Sequence, residues 1–82
     1  MNLNSSNYLL TFESDTKNEL IEVHCDQKGL EKLKCIIDSL LLTDAPDHVH
    51  LMTKSWGGNE LSDEQQSPEN TIANHVKIFK WK

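Results

Sequence analysis

The sequence predicts a single α+β domain in which one helix packs on one face of a mainly antiparallel, four-stranded sheet. The chain has 82 residues, which is enough for one hydrophobic core. Four segments alternate apolar and polar residues at the period of a strand, and one segment repeats leucine and isoleucine at the period of a helix. Their order, β-β-α-β-β, predicts a two-layer domain over residues 1–82 with one sheet face left uncovered.

Two strands begin the domain, after polar residues 1–7 that we expect to be flexible. Residues 8–13 alternate at a period of two, with Tyr8, Leu10 and Phe12 on one face. Residues 20–25 do the same, with Ile21, Val23 and Cys25 on one face and Glu22 and His24 on the other. The polar residues 14–18 between them predict a turn, so the two strands should form an antiparallel hairpin.

A helix is predicted over residues 27–42. Asp26 is a suitable N-cap because its carboxylate accepts hydrogen bonds from the first backbone amides of a helix. Apolar residues then recur at steps of three and four, which predicts a buried stripe of Leu30, Leu33, Ile37, Leu40 and Leu41. We expect this stripe to pack on the inward-facing sheet residues, which are Leu10, Phe12, Ile21, Val23, Val49, Leu51, Val76 and Ile78.

The last two strands are predicted over residues 48–53 and 75–81, with a long polar loop over residues 54–70 between them. Long loops in small domains are often functional. If the valines, leucine and isoleucine of these strands lie under the helix, the alternation places other residues on the uncovered face. They are His48, His50, Met52, His75, Phe79 and Trp81.

Charge and composition exclude several classes of protein. The chain has 13 acidic residues and 8 basic residues, all of them lysine, for a net charge of −5. Nucleic-acid-binding modules show the opposite balance, so an acidic surface fits a basic protein partner better. No segment approaches the roughly 20 apolar residues of a transmembrane helix, and residues 1–6 lack the features of a signal peptide. We therefore expect a cytoplasmic protein in which Cys25 and Cys35 are free, buried thiols.

No pattern in the sequence indicates an enzyme. It contains no nucleophile elbow, phosphate-binding loop or zinc-protease motif. His48, His50 and His75 could lie on one sheet face and hold zinc, but this spacing is not diagnostic. The expectation is a protein without metal or cofactor; a small metal-binding or sensor domain using these three histidines is the alternative.

A protein-binding surface is the better-supported site. Three of the aromatic residues, Trp56, Phe79 and Trp81, lie in the second half of the chain, and tryptophan is enriched at interface hot spots. Gly57 and Gly58 allow a sharp turn after Trp56, which either fills the small core or faces a partner. The neighbouring loop carries acidic residues. The candidate partner-binding residues are Trp56, Glu60, Asp63, Glu64, Glu69, His48, His50, Phe79 and Trp81, with Gly57 and Gly58 as a structural motif.

The segment Asp47-His48-Val49-His50-Leu51-Met52-Thr53-Lys54-Ser55-Trp56-Gly57-Gly58-Asn59-Glu60-Leu61-Ser62 resembles a signature of small bacterial immunity proteins. These proteins are encoded beside polymorphic toxins, including those of contact-dependent inhibition systems. The closing segment, residues 74–81, is similar to the last strand of that family. The resemblance implies a cytosolic, non-enzymatic protein that binds and neutralises one cognate toxin domain. The acidic charge suits a basic toxin such as a nuclease, because nucleases bind phosphate backbones.

Overall fold

The computed structural model describes residues 8–82; residues 1–7, with their predicted flexibility, lie outside the described residues. The elements are strands β1 (Leu10–Asp15) and β2 (Leu20–Cys25), helix α1 (Gln27–Leu41), and strands β3 (Asp47–Met52), β4 (Thr71–Ile72) and β5 (His75–Lys80). A short 3-10 helix covers Lys54–Trp56. The predicted α+β class, with one α-helix and antiparallel sheets, is confirmed for the described residues.

The prediction of a single four-stranded sheet is wrong, because the strands divide into two antiparallel sheets. One sheet has the order β2-β1-β4 and the other pairs β3 with β5. The division occurs between Ala73 and Asn74. The Ala73 N–H donates to the Phe12 carbonyl of β1 at 2.8 Å, whereas the Asn74 carbonyl accepts from the Thr53 N–H at 3.0 Å. The chain therefore changes its pairing partner within two residues, and β4 and β5 belong to different sheets.

Residues Leu61 and Ser62 join the two sheets. The Leu61 N–H donates to the Met52 carbonyl of β3 at 3.1 Å, and the Ser62 N–H donates to the Leu10 carbonyl of β1 at 3.0 Å. Both residues are buried. Leu10, Leu51 and Leu61 meet in the buried cluster together with Ile36 of the helix. The core thus lies where the two sheets and the helix converge.

Helix α1 is capped by Asp26, whose carboxylate accepts from the Gly29 N–H at 2.8 Å. Its rotation differs from the predicted one. A β-carbon added at Gly29 would lie 1.7 Å from the carbonyl oxygen of Leu9, so only glycine allows this close approach. Gly29, Ile36 and Leu40 consequently form the buried side.

Among the described residues, no helix is both long and apolar enough to span a membrane.

Part of the predicted core is therefore exposed. Of the predicted helical stripe, Leu40 is buried and Leu33 packs against the buried cluster, but Leu30, Ile37 and Leu41 are exposed. Ile21 and Val23 of β2 are also exposed, whereas Val49, Val76 and Ile78 pack against the cluster as predicted. Both cysteines are free, but Cys35 is exposed and only Cys25 packs against the core, so the prediction of two buried thiols is half wrong.

The loop over residues 62–70 covers the other face of β1 and surrounds the buried carboxylate of Glu13. This carboxylate accepts hydrogen bonds from the Thr11 hydroxyl and the Gln66 N–H at 2.8 Å, from the Asn70 amide at 3.0 Å and from the Ser67 N–H at 3.2 Å. Burial by itself raises the pKa of Glu13. The four hydrogen bonds outweigh that effect and lower the pKa to about 2.

The rotation of the helix gives a prediction that compares two adjacent isoleucines. Ile36→Ala should lower the free energy of unfolding by about 2–4 kcal/mol, because it leaves a cavity in the core. Ile37→Ala should lower it by less than about 1 kcal/mol, because that side chain is 44 % exposed. Urea denaturation of both variants measures the difference. A larger loss for Ile37→Ala than for Ile36→Ala would contradict the observed rotation.

The pKa of Glu13 predicts how stability depends on pH. Since the pKa falls from 4.5 to about 2 on folding, the stabilisation is complete above about pH 4.5 and is lost as the pH falls towards 2. It amounts to about 3 kcal/mol. Glu13→Gln should lower the free energy of unfolding at pH 7 and flatten its fall through this window, as measured by urea denaturation at several pH values. Glu64→Gln, at an exposed acid, is the control. An unchanged pH profile in Glu13→Gln would refute this role.

Candidate functional site

Five exposed rings lie side by side on the uncovered face of the β3–β5 sheet. We call them the aromatic–histidine row, and in spatial order they are Trp81, Phe79, His48, His50 and His75. Phe79 stacks on Trp81 with ring centroids 5.7 Å apart and on His48 at 5.0 Å. His48 meets His50 edge-on at 4.8 Å, and His50 stacks on His75 at 5.1 Å. The row is thus a continuous strip of planar side chains open to solvent.

The strand period and the register place these rings together. Successive residues of a strand point to opposite faces. His48 lies opposite Phe79 in the β3–β5 pair, and His75 lies opposite Met52. The sequence predicts that His48, His50, Phe79 and Trp81 share one face, and the structure brings them together. The same alternation predicts Lys77 on this face, and its ammonium group lies 5.8 Å from the centre of the Phe79 ring.

The three histidines contact each other through their ring nitrogens. His48 Nε2 lies 3.1 Å from His50 Nε2, and His50 Nδ1 lies 2.9 Å from His75 Nε2. Each contact needs one N–H donor and one free lone pair; a neutral His50 supplies one of each, and a protonated His50 would donate to both neighbours. The pKa of His50 is lowered, first by partial desolvation and then by the neighbouring charges of His48, His75 and Lys77. The arrangement therefore favours the neutral form of the central ring.

The segment Trp56-Gly57-Gly58 forms a tight turn after β3. Gly57 ends the 3-10 helix with φ of +87°, in the left-handed region that favours glycine. A β-carbon at Gly58 would lie 2.3 Å from the Met52 carbonyl oxygen, so the turn lies directly against β3. Trp56 is 60 % exposed. The sequence allows Trp56 either to fill the core or to face a partner. Its exposure is inconsistent with a role in filling the core.

The four candidate acidic residues do not form one patch. Glu60 Oε1 accepts from the Met52 N–H at 3.1 Å, and the Glu60 carbonyl accepts from the Tyr8 hydroxyl at 2.9 Å. Asp63 Oδ1 accepts from the Ser55 N–H at 3.1 Å. Glu64 is exposed, and Glu69 lines a polar hollow beside the β1–β2 turn. Glu60 and Asp63 thus hold the loop against β3 and the 3-10 helix. Within residues 8–82, the carboxylates of Glu64 and Glu69 make no such hydrogen bond.

Two groups of side chains could be considered as metal ligands. Glu13, Glu22 and His24 have ligand atoms within 4.8 Å of one another. Each Glu13 oxygen, however, already accepts two hydrogen bonds, so no lone pair remains for a cation without displacing the loop. In the aromatic–histidine row, His50 turns different nitrogens to its two neighbours, whereas a single zinc ion takes one nitrogen from each histidine. As arranged, only two of the three histidines could share one ion.

This geometry supports a prediction about zinc. We expect the purified protein, after incubation with zinc and gel filtration, to retain less than one zinc ion per chain by elemental analysis. The physical reason is that a third histidine nitrogen does not reach the same point as the first two. The matched variant is His50→Ala, which removes the central ring. One zinc ion per chain, lost in His50→Ala, would instead support the metal-binding alternative.

Sequence reasoning missed the roles of Glu13 and Asn70. Glu13 lies on the face of β1 opposite Leu10 and Phe12, which is where a solvated acid is expected in a strand that is covered on one side only. Nothing in the polar loop indicates that Asn70 is buried and donates to both Glu13 and Glu22. The only available signal was the length of the loop.

The chain was compared with protein-family models, with curated proteins and with solved structures. The family model for Immunity protein 32 matches residues 21–76, which is more than half of the chain. The curated proteins and the solved structures gave no match. The matched range includes helix α1, strand β3, the turn at Trp56 and the loop that closes over Glu13. The chain therefore belongs to the Immunity protein 32 family.

Proposed function

We propose that this protein binds and neutralises a cognate toxin domain in the cytosol of the bacterium that produces the toxin. Membership in an immunity protein family supports a toxin as the partner. Polymorphic toxin systems, including those for contact-dependent inhibition, are the setting that the sequence resemblance implies. The mechanism is binding rather than catalysis. The observation that carries the proposal is the exposed aromatic–histidine row on the β3–β5 pair.

The row has the properties of an interface centre. Phe79 and Trp81 are 48 % and 71 % exposed, so a partner that covers them removes a large apolar area from water. Both rings are already stacked on a neighbour, and little side-chain freedom is lost when a partner binds. Trp56 is a further exposed aromatic residue, beyond the end of β3. These residues should determine how slowly the complex dissociates.

The acidic charge contributes in a different way. With a net charge of −5 the protein attracts a basic toxin domain. A nuclease would be basic, because it binds phosphate backbones. Glu64 and Glu69 are exposed acids of the loop and should act mainly on the association rate. Glu60 and Asp63 accept backbone hydrogen bonds, so their substitution should also disturb the loop.

A small metal-binding or sensor domain remains the second candidate. It is favoured by one observation, the contacts of 3.1 Å and 2.9 Å between the ring nitrogens of the three histidines. These separations are close to the distance between two nitrogen ligands of one ion. Zinc binding as described above distinguishes the two candidates.

The aromatic residues and the exposed acidic residues should affect different rate constants for binding to the toxin domain encoded beside this protein's gene. Trp81→Ala and Phe79→Ala should each weaken the affinity by about 2 kcal/mol, mainly through faster dissociation. The double variant Glu64→Gln/Glu69→Gln should mainly slow association, and more so at low salt. Surface plasmon resonance at two salt concentrations measures both rates. Ile21→Ala, at an exposed apolar residue of the other sheet, is the matched control and should change neither rate.

Trp56→Ala needs a thermal melt beside the binding measurement, since its turn lies against β3. An unchanged melting temperature with weaker binding would place Trp56 in the interface.

Co-expression tests the function itself. Cells that express the toxin domain should survive when this protein is produced and die when it is absent. A complex of the two proteins should be isolated from the surviving cells. If the cells die although folded, soluble protein is present and no complex forms, the proposed function is wrong.

A further inference from the structure

One edge of β5 is left open because β1 does not extend along it. The Ala73 N–H donates to the Phe12 carbonyl, so β1 lies on the side of the chain opposite to β3 just before β5 begins. Strand β1 does not continue along β5, because the N–H and carbonyl of its first residue, Leu10, are bonded to Ser62 instead. Strand β5 therefore pairs with β3 on one side and has no neighbouring strand among residues 8–82 on the other.

The register shows which backbone groups face outward. Thr53 and Asn74 lie opposite each other and share a hydrogen bond, and such pairs alternate along an antiparallel ladder. Val76, Ile78 and Lys80 therefore bond to β3. The N–H and carbonyl groups of His75, Lys77 and Phe79 point away from β3. Within residues 8–82, no backbone hydrogen bond reaches them. These residues present an extended, unpaired edge of the kind that binds an added strand.

An apolar wall lies beside this edge. The exposed flank of α1, with Ile37 and Leu41, forms a groove of about 200 Å³ with Ile78, Phe79 and Lys80 of β5. Ile37 also lines a second apolar hollow of about 320 Å³ further along the helix, next to Leu30. The helix flank is apolar although it does not contribute to the protein's own core. An added strand would cover it with every second side chain.

Charge distinguishes the possible occupants. Residues 75–82 contain three lysines and no acidic residue, in a chain whose net charge is −5. Lys77 lies on the uncovered face, and Lys80 lies on the groove side, where its ammonium group bonds to Thr43. A second copy of β5 would bring the same lysines against these, which disfavours pairing between copies. A strand of another protein that alternates apolar and acidic residues complements this edge.

We propose that an extended segment of the toxin domain adds to β5 as a new edge strand, with its apolar residues in the groove beside α1. This inference rests on the proposed function and specifies how that partner is recognised. The added strand exchanges backbone hydrogen bonds with His75, Lys77 and Phe79, and its acidic residues lie on the uncovered face beside Lys77.

Amide hydrogen exchange, followed by NMR with the toxin domain encoded beside the gene, tests the inference. In the free protein the amides of His75, Lys77 and Phe79 should exchange rapidly. In the complex they should exchange about 100-fold more slowly, because each becomes hydrogen-bonded. The amides of Val76 and Ile78 are the internal control and should be protected in both states.

A proline variant provides a second, independent test. Lys77→Pro removes an outward N–H and places a ring on the edge, and it removes no bond to β3. We expect it to weaken the affinity about tenfold or more. Lys77→Ala removes the charge but keeps the N–H, and it should weaken the affinity clearly less. A thermal melt confirms that both variants are folded.

The outcomes separate the inference from the function on which it rests. If a complex forms while the three outward amides still exchange rapidly, strand addition is wrong and the immunity function stands. If the amides are already protected in the free protein and the mass is that of a dimer, the edge is occupied by a second copy and the inference is wrong. If no complex forms, the proposed function fails and the inference fails with it.

Discussion

The buried carboxylate of Glu13 is the interaction on which most of the structure depends. An ionised group costs several kcal/mol to bury unless hydrogen bonds replace its hydration. Only one of its four donors, the Thr11 hydroxyl, comes from the same strand; the Gln66 and Ser67 N–H groups and the Asn70 amide come from the loop. The loop must therefore close over β1 in one particular conformation. Glu13 thus fixes the conformation of residues 66–70, a polar segment without periodicity.

The position of the loop in turn determines the position of the second sheet. At one end of the loop, Leu61 and Ser62 bond to β3 and β1; at the other, Asn70 leads into β4. Between Ala73 and Asn74 the chain then changes its hydrogen-bonding partner from β1 to β3. Because β1 pairs with β4 and β3 pairs with β5, the β3–β5 pair extends beyond the first sheet. Among residues 8–82, one of its faces and one of its edges therefore remain uncovered.

Local patterns in the sequence predict the elements well and their assembly less well. The period of two places His48, His50, Phe79 and Trp81 on one face, and Asp26 marks the start of the helix. The helical stripe was predicted about one residue out of phase, because the contact between Gly29 and Leu9 that sets the rotation joins distant elements. Strand β4 has only two residues and carries no periodic signal. The burial of Asn70 and the pairing of β4 with β1 depend on hydrogen bonds over more than 45 residues of sequence, which no local pattern contains. The division into two sheets also needs the bond between Thr53 and Asn74, which lie at opposite ends of the polar loop.

The aromatic–histidine row lies on alternate positions of two strands, while the residues that hold the fold lie elsewhere. Glu13, Gly29 and Gly58 are constrained by buried or close contacts. Phe79, Trp81 and His75 face solvent and contribute no side chain to the buried cluster. Under the proposed function, substitution of these rings would change the recognised surface without changing the scaffold. If the row is the proposed interface, such a separation would let a lineage of related chains diverge in partner preference by point mutation alone, and each member would discriminate against the toxins of its neighbours.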